Sequence, residues 1–270
     1  MTGTKYIASC SGGKDSVATL LLAREHNEPL DEVVYFELMF DETVSAEYPE
    51  HRDFIYGTLK PFVEKTLGLP FIILNARRSY EEDSVRKRER GTHVGQPKEV
   101  DYITGFRHIL VKGAHVGRPQ GFLIPGFCKM TRIGKAGVSG KYVKSLPCRT
   151  VCYVGIAADE PKRLARLDGT THLSLLAKYG LTEDDCFDLC RKHGLLSPAY
   201  EITGSKRLGC WFCPNARDSQ WRHMILNHPE LFDRLIELEK TPNIVSTRLT
   251  RTETPSQLKA RLLAQKGTQP

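Results

Sequence analysis

The chain has 270 residues, of which 40% are hydrophobic, and its formal net charge at pH 7 is +7. Its mean hydropathy of −0.36 and the absence of any run of about eighteen apolar residues argue against a membrane-spanning protein. The first residues lack the apolar core of a secretory signal peptide, so we expect a cytoplasmic protein with no membrane partner. In that compartment the eight cysteines favour metal or redox chemistry over disulfide bonds.

Apolar strands and helical stretches alternate along the first third of the chain. The patterns predict strands at 5–10, 31–40 and 70–74, and helices at 15–26 and 54–67. The second strand carries a continuous apolar run, which is typical of a strand buried on both faces. This alternation predicts an α/β fold with a doubly wound parallel sheet, in which ligands bind at the carboxyl ends of the strands.

The patterns in the rest of the chain are weaker. Residues 79–95 are polar and charged, which indicates a loop or a short helix. Further strands are expected at 122–124 and 151–156, and helices at 182–194 and 228–240. Residues 241–270 are mostly polar, so we expect one domain over residues 1–240 followed by a C-terminal extension.

A glycine-rich loop, Ser-Gly-Gly-Lys-Asp-Ser at residues 11–16, follows the first strand and precedes the first helix. Its two glycines permit a sharp turn that brings backbone N–H groups close to an anion, and the helix adds its positive N-terminal end. The lysine supplies a mobile cation, and the two serine hydroxyls supply donors for phosphate oxygens. The residues assigned to a nucleotide here are Ser11, Gly12, Gly13, Lys14, Asp15 and Ser16, with catalytic roles for Lys14 and Asp15.

This loop is not the Walker loop, which requires G-x-x-x-x-G-K-[ST]. It resembles the PP-loop of the ATP pyrophosphatases. That resemblance implies an enzyme that binds ATP, releases pyrophosphate and adenylates a substrate. The alternative is a plain glycine turn between a strand and a helix, with Lys14 exposed to solvent.

Residues 102–158 contain no Asp or Glu but carry nine Lys or Arg residues. A surface normally mixes both signs, so this span predicts a face that meets an anion. ATP phosphates, a sulfate ester and a nucleic-acid backbone all fit this description, and the charge does not choose between them. The alternative is a basic patch with no ligand.

Acidic residues follow two of the predicted strands. Asp41 ends the second strand, where doubly wound folds often place an acid that contacts ribose or base. Asp159 and Glu160 follow the strand that ends near Gly155, and Arg163 lies one turn later. An acid pair beside phosphates holds Mg²⁺ or orients an attacking group. The alternatives are a loop-capping role for Asp41 and a surface ion pair between Glu160 and Arg163.

A second motif, Gly-Cys-Trp-Phe-Cys-Pro at residues 209–214, is a C-x-x-C turn that presents two thiolates to one metal. Two more ligands are needed, and two cysteines four residues apart on a predicted helix share one face. Trp211 is interpreted as a packing residue, and Cys10 is expected to pack beside the glycine-rich loop. The remaining candidates for the metal are Cys128, Cys148, Cys152, Cys186 and Cys190.

Residues 153–164 (YVGIAADEPKRL), 194–200 (GLLSPAY) and 209–214, together with the loop, resemble the PAPS-reductase-like branch of the PP-loop superfamily. The branch includes phosphoadenylylsulfate reductases and bacterial DNA phosphorothioation enzymes. The resemblance covers about residues 5–239 and implies an adenine nucleotide alpha-hydrolase-like fold with a cysteine-rich, helical C-terminal region at about 128–213. It also implies a [4Fe–4S] cluster or Zn²⁺, with the ligand set Cys128, Cys190, Cys210 and Cys213 and with Cys186 in reserve.

The chain departs from the true reductases, because no cysteine follows Cys213 and their C-terminal catalytic cysteine is therefore missing. The leading hypothesis is an ATP-dependent, Mg²⁺-assisted enzyme that adenylates an acceptor, releases pyrophosphate and couples this step to sulfur transfer. Gly155 and Arg163 are assigned to nucleotide binding, and Asp159 and Glu160 to catalysis. The alternatives are a reductase acting on a sulfonucleotide and a non-catalytic module that binds a nucleotide or, through residues 102–158, a nucleic acid.

Overall fold

The computed structural model describes residues 3–76, 99–123 and 129–265. It contains a five-stranded sheet in which all strands are parallel, flanked by helices. The order across the sheet is β3-β2-β1-β4-β5. The α/β class and the parallel sheet that the sequence predicts are thus confirmed. The strands are β1 Thr4–Ser9, β2 Glu32–Glu37, β3 Phe71–Asn75, β4 Arg149–Val154 and β5 His172–Leu173.

Helices fill most of the connections. The described helices are α1 Lys14–Glu25, α2 Pro49–Phe54, α3 Tyr102–Phe106, α4 Gly137–Ser145, α5 Pro161–Leu164, α6 Leu175–Lys178, α7 Glu183–Lys192, α8 Ala199–Thr203, α9 Asp218–Asn227, α10 Pro229–Glu239 and α11 Pro255–Ala264. Helix α2 continues through the π-helical segments Ile55–Leu59 and Phe62–Thr66, and a third π-helical segment, Thr131–Ala136, precedes α4. Within the described ranges, no helix has the length and apolar character needed to cross a bilayer.

Most of the predicted elements are present, but their boundaries shift. The helix predicted at 54–67 begins at Pro49. Strand β2 ends at Glu37, three residues before the predicted end. Phe122 and Leu123 are buried, but this stretch pairs only through an isolated bridge between Gly121 and Ser246, and residue 124 lies outside the described ranges. The predicted loop at 79–95 also lies outside the described residues.

The chain divides into two compact units that interleave along the sequence. The first unit comprises Met1–Glu37, Pro49–Leu74 and Val138–Tyr200, and the second comprises Leu38–Tyr48, Asn75–Gly137 and Glu201–Pro270. The domain expected at 1–240 stays a prediction. The chain leaves the first unit immediately after β2.

The first unit contains the sheet, and its core forms where helix α1 packs on it. Val17, Ala18 and Leu20 of α1 are fully buried, and Leu21 to Ala23 are nearly so. Cys186 and Cys190 of α7 belong to the same core cluster. A helix that is apolar nearly all round is covered on most sides. Helix α1 is therefore fixed along its length, and the glycine-rich loop at its start is held in one place.

The second unit is built around an aromatic cluster. The Phe40 ring lies 5.3 Å from Tyr102, 4.8 Å from Trp211 and 5.3 Å from Phe212, measured between ring centroids. Trp211 is fully buried, and its indole N–H donates to the Ser45 carbonyl at 2.9 Å. Trp211 is thus the packing residue that the sequence indicated. The C-terminal stretch expected to be an extension also contributes to this core, through the buried residues Leu249, Leu258 and Leu262.

Helix α11 is anchored by one arginine that bridges two acids. Arg261 donates to Asp218 at 2.6 and 3.0 Å and to Glu253 at 2.7 and 3.0 Å. The hydrogen bonds from Arg261 lower the pKa of Asp218. A carboxyl group with a lowered folded-state pKa stabilises the fold above its unfolded pKa and loses this contribution as the pH falls through the folded value.

We therefore expect Arg261→Gln to lower the melting temperature by roughly 2–4 °C at pH 7 and by much less at pH 3. Thermal unfolding followed by circular dichroism at both pH values measures this difference. Lys259→Gln is the matched control, because Lys259 lies on the same helix and pairs with one exposed acid, Asp233. Equal losses from the two variants would contradict the anchoring role of Arg261.

Candidate functional site

The order of the strands points to one crevice at the carboxyl edge of the sheet. Strands β1 and β4 are neighbours over their whole length, and the order of the strands reverses between them. In open parallel sheets ligands bind outside the carboxyl ends of the strands at such a reversal. The two segments that leave the sheet there are the glycine-rich loop after β1 and residues 155–160 after β4.

The glycine-rich loop turns through Gly12, which has a positive φ of 74°. A side chain at this position would be strained, and a Cβ would lie 2.7 Å from Cγ1 of Ile55. Gly13 is the extended residue that precedes α1, and α1 begins at Lys14. The sharp turn at Gly12 and the start of the helix directly after the glycines therefore agree with the sequence prediction.

Backbone N–H groups converge at this turn. Ser11 N–H donates to Ser16 Oγ at 3.2 Å, Gly13 N–H donates to Ser11 Oγ at 3.4 Å, and the Ser16 hydroxyl donates to the Gly13 carbonyl at 2.8 Å. The predicted phosphate donor Ser16 thus uses its proton to hold the loop together. The N–H groups of Gly12, Asp15 and Ser16 have no acceptor among the residues that the structure describes. Such donors at a helix N-terminus form a site for an anion.

Two side chains that the sequence analysis did not single out fix this loop. The buried ring of His51 contacts the Ser11 carbonyl through Nε2 at 3.0 Å and Ser197 Oγ through Nδ1 at 2.8 Å. Because a carbonyl only accepts, Nε2 carries the proton and donates to Ser11. Ser197 thereby orients the ring, and the ring fixes the backbone of the loop.

Tyr200 is the second of these side chains. Its hydroxyl oxygen accepts from Lys14 N–H at 3.0 Å, and its ring is buried. Burial, aided by the nearby Asp15 carboxylate, raises the pKa of the Tyr200 hydroxyl, which is therefore protonated at neutral pH. Its proton can be donated to an oxygen bound at the loop. Ser197 and Tyr200 both belong to the segment 194–200 that carried part of the family resemblance.

The Lys14 side chain differs from the mobile cation that the sequence predicts. Its side chain is only 2% exposed, and Nζ lies 2.6 Å from Asp15 Oδ1 and 3.6 Å from Glu183 Oε2. The ammonium group also lies 5.2 Å from the centre of the Phe187 ring. Lys14 is therefore buried and paired with two acids, and its assigned role at the phosphates stays a prediction.

Gly155 brings the end of β4 against the start of α1. A Cβ at this position would lie 2.7 Å from the backbone nitrogen of Ser16 and 2.8 Å from the carbonyl carbon of Asp15. Only glycine permits this approach without movement of the backbone. The sequence assigned Gly155 to nucleotide binding, and the structure gives it a position beside the loop.

The acids after β4 already hold partners. Arg163 Nη1 donates to both carboxylate oxygens of Glu160 at 2.6 and 2.7 Å, and Ala157 N–H donates to the same group at 3.2 Å. Asp159 accepts from Glu183 N–H at 3.2 Å. The Glu160–Arg163 ion pair, which was the alternative interpretation, is therefore present. Because its charge is offset by Arg163, Glu160 is a poor fit for Mg²⁺, whereas exposed Asp159 is compatible with it.

Asp41 belongs to the second unit and has the loop-capping role that the sequence left open. It accepts from the backbone N–H groups of Thr43 and Val44, each at 2.8 Å, and from the Arg234 guanidinium. Burial acts to raise the pKa of Asp41, but these donors outweigh burial and lower it. Its predicted contact with ribose or base stays untested.

The four-cysteine set has members in both units. Cys190 lies in the first unit, where its thiol donates to the Lys14 carbonyl at 3.3 Å, and burial with the nearby Asp15 charge raises its pKa to about 12. Burial likewise raises the pKa of the reserve ligand Cys186. Both environments favour the neutral thiol, so a metal bound at either cysteine would have to displace its proton. Cys128 lies outside the described residues.

The C-x-x-C pair lies in the second unit. Cys213 N–H donates to the Cys210 carbonyl at 2.9 Å, which closes a tight turn, and both side chains are partly exposed. This turn fits a pair of metal thiolates. Cys10 is buried beside the loop, with its sulfur 3.5 Å from Ser16 Oγ, as the packing interpretation predicts.

The acid-free basic span divides between the units, with residues 102–137 in the second and 138–158 in the first. Arg107, Lys112, Lys141 and Lys144 are exposed, whereas Arg118 donates to the carbonyls of residues 243 and 244. Part of the positive charge is thus used within the protein. A nucleic-acid partner for this span stays a prediction.

No protein-family model matches the chain. It is similar to a protein of Escherichia phage 186, which is described as an uncharacterized 37.8 kDa protein in the gpa 5′ region. The two sequences are 25% identical over 279 residues, which cover 94% of this chain and 80% of the phage protein. The similarity therefore extends well beyond the glycine-rich loop, and it carries no activity with it.

Proposed function

We propose that the chain is an ATP-binding enzyme of the PP-loop type that adenylates an acceptor and releases pyrophosphate. The observation that carries this proposal is the position of the glycine-rich loop. It lies where the strand order reverses, and three N–H groups at the start of α1 have no acceptor within the described chain. The finer fold assignment, a doubly wound sheet of the adenine nucleotide alpha-hydrolase type, belongs to the same proposal.

In the proposed reaction the loop positions the phosphates of ATP and stabilises their negative charge. An oxygen of the acceptor attacks the α-phosphorus of ATP, a new acceptor–phosphate bond forms, and the bond to the β-phosphate breaks. The electron pair leaves with pyrophosphate, whose developing charge the N–H groups of Gly12, Asp15 and Ser16 stabilise. Tyr200, whose hydroxyl oxygen is held by Lys14 N–H, donates a hydrogen bond to a phosphate oxygen and keeps its proton.

Mg²⁺ would offset the phosphate charge, and Asp159 is the exposed acid at this edge that fits it. In the proposed second stage a sulfur nucleophile displaces AMP from the adenylated acceptor, which is the coupling that the family resemblance implies. No step of this proposal uses a metal bound by cysteine. The C-x-x-C turn remains the part of the proposed cysteine site that fits one.

Isotope exchange tests this proposal directly. The protein is incubated with ATP, Mg²⁺ and labelled pyrophosphate, alone and with single-stranded DNA or RNA as acceptor, and label in ATP is measured. We expect exchange with the productive acceptor and none with the protein alone, because pyrophosphate leaves only when an acceptor oxygen attacks ATP. ATP binding by calorimetry without any exchange would favour the non-catalytic module, and sulfite release from a sulfonucleotide with a thiol donor would favour the reductase. Failure to bind ATP at millimolar concentration would rule out the proposal.

A further inference from the structure

The second unit contains a cavity of about 790 Å³ that the proposed function does not use. Its volume falls within the range of about 300–1,000 Å³ that is usual for small-molecule sites. Phe40, Asp41 and Arg234 form one part of its wall, and Ile103, Arg107 and Leu238 form others. All of these residues belong to the second unit.

Arg234 is held in the wall as a flat, fixed cation. Its guanidinium carbon lies 4.8 Å from the centre of the Phe40 ring, and one of its amino groups donates to Asp41. The Phe40 ring is fully buried, while the Arg234 side chain is 38% exposed. One face of the guanidinium is therefore covered by Phe40, and the exposed part lines the cavity. Apolar side chains of Ile103 and Leu238 lie in the same wall.

The charged groups of the wall differ in how far they are already satisfied. Asp41 accepts from two backbone N–H groups and Arg234, Asp101 accepts from Thr104, and Glu237 pairs with Lys240. By contrast, within the part of the chain that the structure describes, the Arg234 side chain makes a single hydrogen bond and the exposed Arg107 side chain makes none. Side-chain donors of both arginines therefore remain open to the cavity.

We propose that this cavity binds one nucleotide unit, with its base stacked on the Arg234 guanidinium and its phosphate on Arg107. A planar ring matches the flat cation and the apolar walls, because arginine planes and aromatic faces are the surfaces on which unpaired bases stack. An anionic group matches the open donors of Arg107. This site lies apart from the glycine-rich loop in the chain and does not depend on the proposed adenylation.

The test measures binding by fluorescence anisotropy in the absence of ATP. The probe is a labelled, eight-nucleotide single strand of deoxyadenosine, compared with an abasic strand of the same length and charge. We expect the wild-type protein to bind the intact strand about tenfold more tightly than the abasic strand, because only the intact strand supplies a base to stack. Equal affinities for the two strands would overturn the proposal.

Two variants assign the contributions. Arg234→Lys keeps the charge beside Asp41 but removes the plane, so it should abolish most of the preference for the intact strand. Arg107→Met should weaken the binding of the intact and the abasic strand alike. It should also reduce the slope of log Kd against log salt concentration by about 1. Circular dichroism and thermal unfolding establish that both variants are folded.

Arg52→Lys is the matched control, because Arg52 lies 4.7 Å from the Tyr56 ring and donates to Glu37 at 2.9 Å but is outside the cavity. It should leave both affinities unchanged, and an equal effect of Arg52→Lys and Arg234→Lys would overturn the proposal. AMP as competitor distinguishes the sources: displacement at comparable affinity identifies a free nucleotide, and much weaker displacement identifies a strand. Because the readout is binding without ATP, its failure is distinct from a failure of pyrophosphate exchange.

Discussion

Replacing Gly155 by alanine is expected to abolish ATP binding and to lower the free energy of unfolding. The added Cβ would lie 2.7 Å from the backbone nitrogen of Ser16 and 2.8 Å from the carbonyl carbon of Asp15. These atoms belong to the first turn of α1. Residues 16–23 of this helix are buried, so a shift of its first turn would disturb the packing of the core. Overpacking of this kind costs about 1–3 kcal/mol, and the displaced N–H groups are the ones proposed to bind phosphate.

Calorimetric titration with ATP and chemical unfolding measure the two effects of Gly155→Ala. Gly140→Ala is the control, because a Cβ at Gly140 in helix α4 has no heavy atom within 4 Å. That variant should raise the free energy of unfolding by about 0.5–1 kcal/mol and leave ATP affinity unchanged. Wild-type ATP affinity in Gly155→Ala would mean that the nucleotide does not bind against the start of α1.

Replacing Lys14 by methionine is expected to reduce the rate of pyrophosphate release by about 10²–10³ at saturating ATP, the usual cost of removing one charge-stabilising donor. In the structure the ammonium group is buried between Asp15 and Glu183. A bound triphosphate carries more negative charge than these two acids. We therefore expect the Lys14 side chain to change rotamer and place its ammonium group at the phosphates. The rate is followed by a coupled pyrophosphate assay.

The same substitution also leaves two acids without their cation, so a structural effect must be separated from a catalytic one. Adding Glu183→Gln removes one of these acids and should restore part of the lost stability. If Lys14 stabilises the charge of the phosphates, the added Glu183→Gln substitution should not restore the rate of pyrophosphate release. Recovery of both stability and rate in the double variant would assign Lys14 a structural role only, and an undiminished rate in Lys14→Met would exclude it from catalysis.

The local chemistry of the glycine-rich loop was predictable from the sequence. The distant residues that contact the loop and Lys14 were not. Two adjacent glycines after an apolar strand are enough to predict a turn into a helix that binds an anion. The contact of His51 with the Ser11 carbonyl joins residues 40 positions apart, and nothing in a short helical segment marks one histidine as buried. The burial of Lys14 depends on Glu183 and Phe187, which lie far along the chain on α7.

Neither strand β5 nor the interleaving of the two units could be predicted from the sequence, each for a physical reason. Strand β5 has two exposed residues, His172 and Leu173, and so has neither length nor alternation to signal a strand. The chain passes from the first unit to the second within a continuous apolar run. Leu38 and Phe40 are buried in the second core, just as Val33 and Tyr35 are buried in the first. Hydrophobic patterns report burial, and they do not report which core a side chain enters.

The place of β4 in the sheet determines when the protein can complete its fold during synthesis. Thr4 of β1 pairs with Arg149 of β4, so β1 leaves the ribosome more than a hundred residues before β4 does. Until then β1 has β2 on one side and an open edge on the other, which can pair with other nascent chains. Long-range parallel pairing is also intrinsically slow. Chains terminated before residue 149 should therefore aggregate, and chaperones that cover exposed strand edges should raise the yield of the full-length protein.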